Sequence, residues 1–386
     1  MTRNGRRLAS VTSLVLFTGM AVVSTGGAAQ AAPEPPPTPA AAVAKQGGKP
    51  RIVVIGTGGT ISGVSDTRVS FQSYRSGQLR ISDMVGELQP EIGQVADVST
   101  VQFGNKGSGG YTIKEYYDLT KAVDRELERA DGVVVTTGTD TMEEFGYWLD
   151  LTVRSRKPVV LTGSMRPWTV IGTDAPANLY NAITLAASGR TECNGAVIML
   201  NDEIQAARDV TKTNALRMDT FQSREVGVLG YVDETRIRML RSTPRAQYCE
   251  DAKKWATPFD LKRVDREKLP RVEIVYGYQE AGGEAITAFA DAGVRGIVTA
   301  GTGSGGVSGA QSAARAAAVA KGVTFVSTTR TGTGAVYGGS DGVVPGEDLL
   351  PQKARLLLLL SLARTSDRKT IGEWFATYGV PQFSAG

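Results

Sequence analysis

The chain reads as an α/β protein, with a larger N-terminal domain built on a mainly parallel sheet flanked by helices and a smaller C-terminal α/β domain. Three observations predict this. Short apolar, β-branched runs alternate with stretches of helical periodicity, the pattern of a parallel sheet covered on both faces. The alternation pauses at a polar segment with two prolines and then resumes on a smaller scale. The strand-like runs also end in glycine turns that carry hydroxyl side chains, and in open parallel sheets ligands sit at such strand ends.

Taken in order, Arg51 to Ile55, Val98 to Phe103, Gly132 to Thr136, Pro158 to Thr162 and Ala196 to Leu200 are predicted as buried strands. Between them, Thr112 to Ala130, Met142 to Arg154 and Pro176 to Ser188 have helical spacing. The charged stretch from about Tyr248 to Pro270, which also contains Pro258, reads as a linker. Beyond it, Val272 to Tyr278, Gly296 to Ala300 and Val323 to Thr328 are strand-like, and Pro351 to Arg364 is a leucine-rich helix. The expected organisation is a catalytic domain over 50–250, a linker over 251–270 and the smaller domain over 271–386.

The amino terminus predicts where the chain works. Arg3, Arg6 and Arg7 precede an uncharged stretch from about Val11 to Val23, and Ala29-Gln30-Ala31 supplies the small-x-small pattern of a signal peptidase site. This layout predicts a signal peptide over 1–31 and a secreted protein, extracellular or periplasmic, beginning at Ala32. A stable membrane anchor fits less well, because the apolar run is short and interrupted by Thr12, Ser13, Thr18 and Gly19. Residues 32–49 form a Pro/Ala-rich leader with nothing to pack. The formal charge of +4 includes the three signal arginines, so the remainder is nearly neutral and nothing in it calls for nucleic acid.

There is no histidine. A Ser-His-Asp triad and a histidine zinc site are therefore excluded, and any nucleophile must be activated by lysine, carboxylate or tyrosine. The two cysteines, Cys193 and Cys249, are too few for a zinc or iron–sulfur site. In an exported protein they suit one disulfide; two reduced, partly buried thiols are the equal alternative.

Three glycine turns bear hydroxyls. Gly56-Thr57-Gly58-Gly59-Thr60 follows the first strand, Thr136-Thr137-Gly138-Thr139-Asp140 the third, and Thr162-Gly163-Ser164 the fourth. One such turn is ordinary turn chemistry; three at successive strand ends point to a site. No cofactor is expected. The first turn has Ile61 where a dinucleotide fingerprint needs its third glycine, and Gly301-Thr302-Gly303-Ser304-Gly305-Gly306 is followed by a strand ending in Thr329-Arg330, with no acid for a ribose. No G-K-[ST] triplet occurs, a G-x-S-x-G elbow would have no histidine partner in this chain, and no metal is expected.

The motifs IGTGGTISG, TTGTDTMEE and LTGSMRP, with Asp174 to Ala182, Ala207 to Asn214 and Pro351-Gln352-Lys353-Ala354-Arg355, make the chain resemble the bacterial type II (exported) L-asparaginase family over nearly all of its length after the leader. The resemblance implies hydrolysis of the side-chain amide of L-asparagine through a threonine acyl-enzyme. Thr60 matches the family nucleophile and Tyr74 the flap tyrosine bonded to it. Thr139, Asp140 and Lys212 match a second constellation in which lysine is the base. Ser108 matches the residue that binds the substrate carboxylate, Asp140 also grips the α-ammonium, and Ser164 offers backbone contacts to the amide. Asp140 precedes a helical run with Glu143 and Glu144, so a helix-capping role stands open beside the site role. For Lys212 and Tyr74 the plain alternatives are a surface lysine and a partly packed ring.

The sequence also departs from the family pattern. Gly109 replaces a glutamine that touches the α-amino group, Thr137 replaces a histidine, and Ser304 replaces an asparagine that reaches the neighbouring subunit's site. The stretch from Thr331 to Asp341 is shortened and offers no match for the acidic residue donated across that interface. These changes bear on affinity and side-chain-length preference rather than on reaction type. The resemblance further implies a homodimer or homotetramer with sites at the subunit interface. Two other readings fit the same residues: a dual glutaminase-asparaginase, and a secreted amino-acid-binding protein without turnover.

Overall fold

The computed structural model describes residues 48–339 and 342–381, so the signal segment and nearly all of the leader lie outside the described residues. The first ten strands are β1 (Arg51–Gly58), β2 (Asp97–Lys106), β3 (Gly132–Thr136), β4 (Val159–Thr162), β5 (Ala196–Leu200), β6 (Glu203–Ala206), β7 (Thr211–Lys212), β8 (Phe221–Gln222), β9 (Gly230–Asp233) and β10 (Arg236–Met239). Eight of them form one sheet in the order β10-β9-β6-β5-β4-β3-β1-β2, while β7 and β8 form a separate ribbon. From β2 to β5 every pairing is parallel; β6, β9 and β10 extend the sheet in antiparallel fashion.

Side-chain alternation along the strands explains the layers. Val53, Ile55, Val133, Val135, Leu161 and Ile198 point to one face, whereas Ile52, Val54, Val134, Val160 and Val197 point to the other. Both sets are buried, so both faces need helices. Helices α1 (Ile81–Glu87), α2 (Glu91–Val95) and α5 (Ala175–Ser188) cover the second set; α3 (Ile113–Arg129) and α4 (Met142–Thr152) cover the first. Helix α3 starts at a reciprocal cap: Thr112 Oγ1 accepts from Glu115 N at 3.2 Å, and the Glu115 carboxylate accepts from Thr112 N at 2.8 Å.

The segment expected as a linker is packed. It contains α6 (Ala252–Trp255) and two short 3₁₀ turns, and Trp255, Phe259, Leu261 and Val264 are buried. These apolar residues follow no helix or strand period, which is why the polar composition around them dominates the sequence. The smaller unit has β11 (Val272–Tyr276), β12 (Gly296–Gly301), β13 (Thr324–Thr329) and β14 (Val343–Pro345), all parallel, with α7 (Glu284–Asp291) and α8 (Gly309–Ala320).

Helix α9 (Pro351–Leu362) joins the two sheets. Leu356 to Leu360 are buried on every side, as a helix without a polar face requires. It packs on α4 in one direction and on β11, β12 and β13 in the other. Each buried leucine contributes about 1.5–3 kcal/mol. Helix α10 (Arg368–Tyr378) closes the chain against α9 and β14. Among the described residues, no helix is long and apolar enough to cross a membrane.

Cys193 and Cys249 form a disulfide with a Cα–Cα distance of 5.4 Å, which settles the alternative that the sequence leaves open. Cys193 lies just before β5, so the bond ties the start of that strand to the connection that follows β10. The Trp255 indole N–H donates to Cys193 O at 2.8 Å and seals it. The bridge closes a sequence separation of 56 residues. The double variant Cys193→Ser/Cys249→Ser is expected to lose about 2–4 kcal/mol, read as a lower urea midpoint with a steeper slope from the less compact unfolded chain; an unchanged midpoint refutes this.

Candidate active site

The carboxyl ends of β1, β3 and β4 bring the three glycine turns together. Gly59 has φ +86°, and a Cβ placed on it would lie 2.1 Å from Gly138 N; a Cβ on Gly138 would lie 3.2 Å from Gly59 Cα. Such backbone contact excludes a side chain at Gly59 and crowds one at Gly138. Thr60 and Thr139 each directly follow these touching glycines, so their hydroxyls belong to one cleft.

On the β1 side, Thr60 Oγ1 and the Tyr74 hydroxyl share a hydrogen bond of 2.7 Å. Tyr74 sits on a flap over residues 64–80 that is closed by reciprocal backbone bonds between Val64 and Arg75. The flap is tied down further along. Ser65 N donates to Thr169 Oγ1 at 3.0 Å, Ile171 N donates to Arg68 O at 2.9 Å, and the Arg166 guanidinium lies 4.6 Å from the centre of the Phe71 ring.

On the β3 side, Lys212 Nζ donates to Thr139 Oγ1 at 2.9 Å and to Asp140 Oδ1 at 2.7 Å. The two partners of this ion pair differ sharply in exposure. The Lys212 side chain is 14% exposed and that of Asp140 83%, so the cation is held by the protein while the carboxylate faces outward. The helix-capping alternative does not hold for Asp140. The N-cap position of α4 is Thr141, without a side-chain cap bond, and the Asp140 carboxylate turns instead to Lys212.

Ser108 is buried beside this turn. Its Oγ accepts from Thr141 N at 3.2 Å, and it adjoins Gly138. Ser164 is also buried, and its Oγ donates to Arg166 O at 2.5 Å. Its side chain is thereby occupied within its own loop. That loop is joined to the second turn by Thr137 N donating to Thr162 O at 3.0 Å. The structure therefore brings Thr60, Tyr74, Ser108, Thr139, Asp140, Ser164 and Lys212 to one end of the large sheet. A separate cavity of about 160 Å³, lined in part by Asp150, Arg245 and Trp255, opens near the disulfide and includes none of them.

Sequence reasoning missed the residues that hold these turns. The Asp174 carboxylate accepts from Met165 N at 2.9 Å and Arg166 N at 3.0 Å, fixing the Ser164 loop. Asn178, one helical turn later, donates to Asp174 Oδ2 and to Gly163 O, both at 3.0 Å, and accepts from Asn201 N at 3.1 Å. The four-residue spacing of Asp174 and Asn178, just after the hydroxyl turn, was the available signal. Gln102 acts likewise on β2, accepting from Ile81 N at 2.9 Å and donating to Gly104 O at 2.8 Å.

Known proteins resemble this chain over most of its length. The family model for the asparaginase N-terminal domain matches residues 51–245, and that for the glutaminase/asparaginase C-terminal domain matches 271–375. L-asparaginase 2 of Bacillus subtilis is 41% identical, covering 85% of this chain and 87% of that protein. L-asparaginase 2 of Escherichia coli is 38% identical over 85% and 93% of the two chains. A glutaminase-asparaginase of Acinetobacter glutaminasificans is 34% identical over 86% and 100%. Among solved structures, a protein of Campylobacter jejuni described as a probable cytoplasmic L-asparaginase superposes with a TM-score of 0.80 at 37% identity, covering 86% of this chain and all of that one.

Proposed function

The chain belongs to the bacterial type II asparaginase family and is an amidohydrolase, and from that premise we propose that it converts L-asparagine to L-aspartate and ammonia through an acyl-enzyme on Thr60. The observation that carries this reading is the Lys212 ammonium bridging Thr139 and Asp140 beside the Thr60–Tyr74 pair. A binding protein without turnover has no use for two hydroxyls, each in contact with a proton-transfer partner.

In this reading the substrate carboxylate is held at Ser108 and its α-ammonium at the exposed Asp140 carboxylate. Thr60 Oγ1 bonds to the amide carbon, and the carbonyl electron pair moves onto oxygen. The hydroxyl proton passes to the Tyr74 oxygen as Tyr74 gives its own toward the departing nitrogen, which leaves as ammonia. Backbone N–H groups at Thr60 and Thr139 supply the oxyanion donors, each worth about 2.7–4 kcal/mol. The arriving ammonium shares the Asp140 carboxylate with Lys212. For the second half Lys212 acts as the free amine, its ammonium proton having gone to solvent; water gives a proton to that amine through Thr139 and attacks the acyl carbon, and the same proton returns to Thr60 Oγ1 as aspartate is freed.

Export through the N-terminal signal, and assembly into a homodimer or homotetramer with shared sites, complete the proposal. Export rests on Arg3, Arg6, Arg7 and Ala29-Gln30-Ala31; assembly rests on the family pattern alone.

Thr60→Ala and Thr139→Ala are each expected to abolish ammonia release with the circular dichroism spectrum unchanged. Lys212→Met should lower kcat steeply at nearly constant KM, and a change in KM alone would reassign Lys212 to binding. Specificity is a separate expectation. Nothing in the structure lies within 4 Å of a Cβ placed on Gly109, so one group that would hold the α-amino end is missing and a longer side chain is harder to position. Asparagine should be preferred over glutamine by at least about 10-fold in kcat/KM, the lower end of what one methylene is worth. Comparable values would instead mean that the open space admits glutamine, as in a dual enzyme. Native mass spectrometry of secreted protein should find a chain beginning at Ala32 in a dimer or tetramer; an intact Met1 or a monomer counts against the corresponding half.

A further inference from the structure

Lys353, in the first turn of α9, is 1% exposed, yet it carries an ammonium group. Its Nζ donates to Ala207 O at 2.9 Å, Arg208 O at 2.8 Å and Val210 O. An ammonium has three N–H bonds, and here all three end on carbonyls of one four-residue turn. That turn leads directly into β7, which carries Lys212. From this geometry we propose that Lys353 is a positioning residue for the reaction: it clamps the 207–210 turn and so holds Lys212 in line with Thr139. The inference rests on the reading of Lys212 as the base.

Two neighbouring contacts support it. Gln352 Nε2 donates to Glu143 Oε1 at 3.0 Å, in the first turn of α4, three residues after Asp140. Adjacent side chains of α9 thus brace both halves of the Lys212–Asp140 pair. Arg208, inside the clamped turn, also donates to Asp348 Oδ2 at 3.0 Å, just ahead of α9. The smaller domain therefore grips the catalytic turn twice, and neither grip touches the reacting atoms.

The clamp needs the charge. A neutral amine would set a lone pair against one of the three carbonyls. Burial lowers the pKa of Lys353 to about 8; Glu143, Asp209 and Asp150 pull it upward and Arg208 adds to the lowering. The ordinary value, 10.5, applies in the unfolded chain. Between these values the unfolded state binds more protons, so this group makes stability rise with pH rather than fall. Loss of activity as the pH passes about 8 would therefore reflect release of the turn and not unfolding.

The test compares the wild type, Lys353→Met and Lys212→Met in asparagine turnover and in urea denaturation, from about pH 7.5 to about 9.5. Lys353→Met should lose about 10²-fold in kcat, the scale of an ångström-level misplacement, with KM nearly unchanged. Wild-type kcat should decline through about pH 8 with no drop in urea midpoint, and the variant should lack that decline. A folded Lys353→Met with wild-type kcat overturns the proposal. If that variant does not fold, a wild-type kcat that stays level across the range overturns it instead. An inactive Lys212→Met beside a normal Lys353→Met sinks only the clamp, whereas a normal Lys212→Met removes both the clamp and the catalytic reading.

Discussion

The contact between Gly59 and Gly138 is the constraint on which the rest of the site depends. Two turns from separate strands meet backbone to backbone, and the residue after each contact is a threonine. This is possible because β1 and β3 are immediate neighbours in the sheet, paired in register from Ile52–Gly132 to Gly56–Thr136. Moving β1 by a single residue against β3 would separate the turns and reverse the faces to which Val53 and Ile55 point. The hydrophobic pattern that builds the core therefore also sets the spacing of the chemistry.

A second dependence runs through α9. A helix buried on all sides has no freedom to slide without losing contacts to both sheets. Its first turn can consequently serve as a fixed reference for residues far away in sequence. Arg355 extends the same role, donating to Val272 O at 2.9 Å at the start of β11. Glu144, on the α4 side and 4.0 Å from Arg355, is pushed up to about 7 by burial, so the junction between the two sheets holds a carboxyl near neutrality as well as a lysine.

Much of this was legible in the sequence, for identifiable reasons. Gly132 to Thr136 and Ala196 to Leu200 match their strands end to end, because a strand covered on both faces needs an unbroken apolar run. Strands β6, β9 and β10 were not legible. They are four residues each, and Glu203, Gln205, Arg236 and Arg238 break the apolar signal. Helices α7 and α8 lie in alanine-rich segments that bury few side chains, Ile286 in one and Gln311 and Ala318 in the other. Within the site, the hydroxyl turns announce themselves by position, but the meeting of Lys212 with Thr139, across 73 residues, is visible only through likeness to a family or in three dimensions. Lys353 is the instructive failure: a lysine at the head of a helix looks solvated, and only the folded chain places three carbonyls around it.

The tethers of the flap lead to one place. Ser65, Arg68 and Phe71 are attached to Thr169, Ile171 and Arg166, all within the stretch that continues the Ser164 loop. Tyr74 and the Ser164 loop are thus tied into one body, whose base Asp174 holds. Moving Tyr74 away from Thr60 therefore has to carry or break the contacts to Arg166, Thr169 and Ile171. Under the proposed reaction, the piece of chain that carries the tyrosine and the piece that would meet the leaving nitrogen move together or not at all.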